Sequence, residues 1–305
     1  MLSNPHAREL AAVADDVLGH SVADRFSASE DPYCVDAQVA FMVNCVALAR
    51  WSQHELGTDP AYCAGPSFGG KSAAAWTGSL SFPDAVLMTA ELARITEEYF
   101  RTDHQDVVTH SFIRTPADRL DEILAEMDAA GEWYEISCYL DDDFFMVTLR
   151  ERALDDLQRR LRAVGGLPLY TMRPPMHSSV FGPLRERARL FLDSLPFTDP
   201  AVPIVADHDG RLVDRADDVR TLLLDCFVRP LRWPLVIGTL RELAVGDVVV
   251  AGPDNLFGRV AATRRAFEVT SVSPQFALLP AARRAAARMA PDGESRPQPT
   301  PEGTR

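Results

Sequence analysis

The residues best suited to covalent chemistry lie in the stretch CAGPSFGGKSAAAWTGSL, residues 63–80. At its centre, Gly65-Pro66-Ser67-Phe68-Gly69 has the GxSxG form that holds a nucleophilic serine on a strained strand-to-helix turn. The same pattern also makes an ordinary small-residue turn. A short apolar run, Ala61 to Ala64, precedes it, and small residues of helical character follow. A helix in that place aims its first N–H groups at the serine oxygen and at any oxyanion formed there. Pro66, directly before the serine, fixes φ and removes an N–H.

A serine hydroxyl is a poor nucleophile at neutral pH and needs a base. The sequence has seven histidines. His6, His20, His54, His104, His110 and His208 read as surface, border or helix-end residues. His177 differs: it lies in Arg173-Pro174-Pro175-Met176-His177-Ser178-Ser179, a stiff apolar loop after an expected strand. A base held on such a loop beside a pocket meets the geometry of general-base catalysis. The alternative is one more structural histidine.

The patterning indicates which elements position these residues. Residues 6–18 and 35–56 read as helices, the second apolar enough to be buried. Pro83 and Asp84 open a further helix at residues 84–100 with ordinary helix-start chemistry. From residue 106 the order becomes strand (VVTHSFI), helix (116–130), strand (WYEISCY), strand (FFMVTL), helix (151–164) and strand (LPLYTM). That order is the ferredoxin-like unit. Residues 182–194, 214–228 and 233–244 read as helices, with VPIVAD and DVVVAG as strands.

Of the 305 residues, 47% are hydrophobic and 25% charged, the profile of a soluble globular protein. A net charge of −13 disfavours nucleic acid as a partner. No apolar run is long enough to span a bilayer, and MLSNPHAREL shows no signal-peptide pattern. Five scattered cysteines without a CxxC point to a reducing, cytoplasmic setting and against a disulfide frame or a bound metal. The short arginine clusters read as solvated helix faces, one or two of them available to an acidic partner.

Three blocks resemble the malonyl-CoA:acyl-carrier-protein transacylase family, which includes the acyltransferase domains of polyketide synthases. They are GPSFGGKSAAAWTGSLSFPDAV, then PPMHSSVFGPLRERARLFLDSLPFTDPAVPIVADHDG, then CFVRPLRWPLVIGTLRELAVGDVVVAGP. The resemblance implies an α/β protein whose large α/β-hydrolase-like domain, with a parallel sheet, covers residues 1–105 and 173–288. A ferredoxin-like subdomain is inserted over residues 106–172, and residues 289–305 form a disordered tail. It implies Ser67 as nucleophile, His177 as base and the Phe68 N–H as an oxyanion donor. The backbone carbonyl of Arg232 takes the place of the one that orients the family's histidine. No cofactor is implied. The substrates are acyl-CoA or acyl-phosphopantetheine, the partner is an acidic acyl carrier protein, and the protein is expected to be a monomer.

Four departures qualify this. Nothing in MLSNPHAREL matches the family's first strand and its F-P-G-Q-G turn, which supplies a second oxyanion donor. Leu92 stands where malonyl-selecting members carry an arginine, and Arg94 is about 200° further round the helix. Pro66 replaces a histidine. Met176, Cys138 and Leu140 take positions that are often polar. Pro66, Leu92, Met176, Cys138 and Leu140 are therefore expected to line an apolar acyl pocket suited to an acyl group other than malonyl. Two alternatives stay open: an acyl-carrier hydrolase using the same serine, and a non-catalytic relative that docks carrier proteins.

Overall fold

The computed structural model describes residues 4–253 and 256–280. Helices α1 (Pro5–Leu18), α2 (Val22–Ala28) and α3 (Val35–Leu56) come first. Asn4 caps α1 by accepting from the His6 N–H at 2.9 Å, and Pro5 occupies the first turn. The long α3 buries Val39, Ala40, Met42, Val43, Val46 and Ala47. Apolar side chains on several faces make it the axle of the core.

Strand β1 (Cys63–Ala64) leads through a tight turn into α4 (Gly69–Trp76), and α5 (Phe82–Thr102) follows. Then comes β2 (Val107–Ile113), α6 (Ala117–Ala129), β3 (Tyr134–Asp141), β4 (Phe144–Arg150), α7 (Leu154–Ala163) and β5 (Leu167–Met172). Their antiparallel sheet has the order β5-β2-β4-β3, the ferredoxin-like arrangement. Its two helices close a core of its own around Phe112, Leu120, Leu149, Leu157 and Leu161.

The chain continues through α8 (Gly182–Leu192), β6 (Ile204–Val205), β7 (Leu212–Val213) and α9 (Ala216–Val228). Next are β8 (Leu231–Arg232), α10 (Trp233–Glu242), β9 (Asp247–Ala251), α11 (Leu256–Arg259), α12 (Ala261–Ala266), β10 (Glu268–Val272) and α13 (Pro274–Leu278). Strand β1 pairs in parallel with β6, and β9 with β10, while β7 runs antiparallel to β6. The expected parallel sheet is thus in two pieces among the described residues. Strand β8 joins the edge of β3 in parallel, so the large domain adds a strand to the small domain's sheet. A shared core of Cys138, Leu140, Met146, Val205, Trp233 and Val236 fastens that junction. The expectation of a disordered tail falls on residues outside those described.

Candidate active site

The turn between β1 and α4 leaves no room at Gly65. A Cβ there would lie 2.4 Å from the Gly69 carbonyl oxygen and 2.8 Å from the Ala73 Cβ. Close approach of the following helix therefore requires glycine. Ser67 sits at φ 53°, in the left-handed region that a side-chain-bearing residue rarely adopts. The buried carboxylate of Asp207, just after β6, accepts from the Ser67 N–H at 2.7 Å. Backbone bonds from Gly69 to Pro66 and from Gly70 to Ser67 close the turn. The Phe68 N–H at the head of α4 has no acceptor among the described residues, so it is free to meet an oxyanion.

His177 also has a left-handed backbone, at φ 60°, and is buried. Its Nε2 is 2.8 Å from the Ser67 Oγ, and its Nδ1 is 3.0 Å from the Arg229 carbonyl oxygen. With Nδ1–H donating to that carbonyl, Nε2 is the neutral acceptor that a base needs. The loop is pinned just beyond it. Glu135 of β3 accepts from the Ser178 hydroxyl at 2.9 Å and from the Ser179 N–H at 2.8 Å.

The orienting carbonyl is that of Arg229, which corrects the expectation of Arg232. Arg232 is the N-cap of α10, so its carbonyl faces the first turn of that helix, and its N–H donates to the Asp207 carbonyl at 2.7 Å. Arg229 ends α9 in an extended conformation that turns its carbonyl toward the imidazole. The Arg232 guanidinium lies over the Tyr139 ring instead.

Burial, the largest influence, pushes the His177 pKa below the ordinary histidine value. The Asp207 carboxylate and the Arg229 carbonyl pull it up, and neighbouring His208 pushes it down. The base is therefore neutral and able to accept a proton at neutral pH. Burial also drives the Cys63 and Cys226 thiols up to about 12 and raises Cys138, so these stay protonated and do not compete with Ser67.

Two cavities meet at Ser67. The larger, about 750 Å³, is also lined by Pro66, Cys138, Leu140, Met176 and His177. Residues of both β1 and β9 line it, and among the described residues no strand joins these two. The smaller, about 120 Å³, is lined by Leu92, Thr96, Met176, Lys71 and Phe68. The five expected pocket residues are thus divided. Leu92 lies only in the small cavity, Pro66, Cys138 and Leu140 only in the large one, and Met176 in both. Arg94 points away, exposed and paired with Glu91. Among the described residues no cluster of His, Cys, Asp and Glu is arranged to hold a metal.

Sequence reading missed three residues. Asp207 anchors the serine from a distant segment; an acid ending a strand beside the nucleophile's strand was the available signal. Lys71 enters the small cavity although its sequence context is a plain helix. His208, read as a turn residue, is buried and within 3.4–3.6 Å of carboxylate oxygens of Asp207, Asp209 and Asp225.

Comparison with known proteins agrees with the fold. The family model "VinK acyltransferase small domain" matches residues 111–172. The malonyl CoA-acyl carrier protein transacylase of Bacillus subtilis is 24% identical over 225 residues, covering 73% of this chain and 55% of that protein. The Escherichia coli K12 protein of the same name is 23% identical, covering 82% of each chain. A Trichophyton rubrum non-reducing polyketide synthase is 26% identical, with 9% of its length covered. The chain therefore spans about half of the Bacillus protein's length and 9% of the synthase's, against 82% of the Escherichia coli protein's. Among solved structures, a malonyl-transacylase in complex with its type II polyketide acyl-carrier protein superposes with a TM-score of 0.78 at 21% identity, covering 90% of this chain and 91% of that one. FabD from Acinetobacter baumannii also gives 0.78, at 18% identity, covering 93% and 89%. A ferredoxin-like insert matched by an acyltransferase small-domain model, set in a fold shared with these transacylases, makes the chain similar to malonyl-CoA:acyl-carrier-protein transacylases over most of its length.

Proposed function

We propose that this protein is an acyltransferase that carries an acyl group on Ser67 from an acyl-CoA or acyl-carrier thioester to an acyl carrier protein. The carrying observation is the 2.8 Å contact of Ser67 Oγ with His177 Nε2, the imidazole being held from behind by the Arg229 carbonyl. Ser67 Oγ attacks the thioester carbonyl while His177 Nε2 takes its proton. The oxyanion is met by the Phe68 N–H and the positive end of α4. The C–S bond then breaks, and His177 returns the proton to the leaving thiolate. The phosphopantetheine thiol of the carrier enters, loses its proton to His177 and attacks the ester. Proton return to Ser67 Oγ releases the acylated carrier.

Leu92 offers no guanidinium to a malonate carboxylate, which supports an acyl group other than malonyl. The transacylase–carrier complex among the structural neighbours supports an acyl carrier protein as partner. The five free cysteines, and the lack among the described residues of a helix long and apolar enough to cross a membrane, are compatible with a cytoplasmic enzyme.

Intact mass after incubation with short acyl-CoAs tests the reading. One acyl adduct is expected, absent in Ser67→Ala. Adding a holo carrier protein should move the adduct to the carrier. Release of free acid at the same rate with or without carrier would make the protein a hydrolase. No adduct from any donor would sink the serine reading.

A further inference from the structure

Lys71 is the one lysine in the sequence, and it lies four residues after the nucleophile on α4. Its ammonium donates to Gln38 Oε1 at 3.1 Å and stands 4.6 Å from the centre of the Phe68 ring. Gln38 is fixed in turn, its Nε2 donating to the Tyr33 carbonyl at 2.8 Å. Among the described residues no carboxylate pairs with Lys71. Burial lowers its pKa to about 8, which leaves it mostly charged at neutral pH. A partly desolvated cation without a counter-charge is costly unless something in its site satisfies it. The space beside it is the small cavity it shares with Ser67, Leu92 and Thr96.

An ammonium has three hydrogens. One goes to Gln38, and the Phe68 ring face occupies a second direction. One remains for the cavity. A carboxylate presents two oxygens and is best matched by the fork of a guanidinium, whereas a lysine held in this way is a single-point donor. Leu92 forms part of the remaining wall and is buried. The other wall residues are mainly apolar, among them Met176, Leu222, Leu223 and Phe227; Asp207 and Thr96 also line the cavity, but Asp207 Oδ2 accepts from the Ser67 N–H and the Thr96 hydroxyl donates to the Leu92 carbonyl.

Building on the assignment of Ser67 as the acyl carrier, we propose that Lys71 determines acyl specificity by donating to a single neutral oxygen on the acyl chain, as in a 3-oxoacyl or 3-hydroxyacyl group. The apolar pocket expected from Leu92 and Met176 is then apolar in its walls only.

Acetoacetyl-CoA, butyryl-CoA and malonyl-CoA test this, because the first two differ at carbon 3 by one oxygen. The Ser67 ester should form from acetoacetyl-CoA about tenfold or more faster, in kcat/KM, than from butyryl-CoA, the effect of one hydrogen bond to a charged donor. Lys71→Met should bring that ratio close to one, and Lys71→Arg should restore part of it. Thermal melting of each variant checks that it folds. Equal rates from acetoacetyl- and butyryl-CoA in the wild type, an unchanged ratio in Lys71→Met, or a preference for malonyl-CoA would each overturn the proposal. A second readout needs no catalysis. In Ser67→Ala protein labelled at lysine, the single amine resonance should shift with acetoacetyl-CoA and stay put with butyryl-CoA. If no donor acylates Ser67, the acyl-enzyme reading falls, and the resonance still decides whether Lys71 senses the oxygen.

Discussion

Both domains bury histidines, and the sharpest contrast is between His110 of the small domain and His177 of the large one. His110 lies on β2, paired on both sides within the small domain's sheet, with its Nδ1 2.9 Å from the Thr171 hydroxyl and its ring stacked near Phe112. His177 lies on a loop of the large domain with one nitrogen on a carbonyl and the other on a serine. Burial pushes both pKa values down, His110 to about 4, where the Arg162 charge adds to the effect. A depressed histidine pKa is therefore no mark of function here. What separates the two is the company of the second nitrogen and a cavity beside it. His110 belongs to regular strands of six to eight residues; His177 stands among two-residue strands and strained turns.

The contrast can be broken in four places. His177→Gln should lower Ser67 acylation by at least about 10⁴-fold, as loss of a catalytic base does elsewhere, measured as adduct formation against time. Leu157→Ala, in the small domain's core, should cost about 2–5 kcal/mol of stability in denaturant titration, and leave the acylation rate of the folded protein unchanged. If it slowed acylation strongly, the two domains would not be separable in this way. Asp207→Asn removes the negative charge that holds the His177 pKa up. The acid limb of kcat/KM should then move to lower pH, and a shift upward would contradict the placement of that charge. His110→Gln should have the smallest effect, seen only in stability against pH. The folded His110 binds its proton near pH 4 and the unfolded one near 6.5. The wild type is therefore at full stability above about 6.5 and loses some as pH falls toward 4, and the variant should show a shallower loss.

Much of the small domain was legible because its pattern is local and repetitive. Alternating strands, a helix stopped by Gly131 and the acidic turn at residues 141–143 each announce themselves within a few residues. Ser67 and Met176-His177 were legible for a different reason: glycine and proline mark the backbone where close approach or stiffness is needed. What stayed hidden depends on contacts across the chain. Asp207 reaches the Ser67 N–H from 140 residues away, and no spacing rule encodes that. The choice between the Arg229 and Arg232 carbonyls turns on where α9 ends and α10 begins, a matter of three residues and so within the uncertainty of any helix boundary. His208 looks like a polar turn residue because its neighbours are aspartates, but those aspartates face inward around it. Lys71 was hidden because helical phase alone does not reveal which cavity a long side chain enters.

Two of the contacts that hold the His177 imidazole and its loop lead to one strand. Glu135, which holds Ser178 and Ser179, is on β3, and the chain that carries the Arg229 carbonyl is stitched to β3 two residues later through β8. Mechanically, β3 is a gimbal for the base. Ser67 hangs instead from β1, α4 and Asp207, in the large domain that also carries the His177 loop. A shift of β3 relative to β1 and α4 would therefore change the serine–histidine distance.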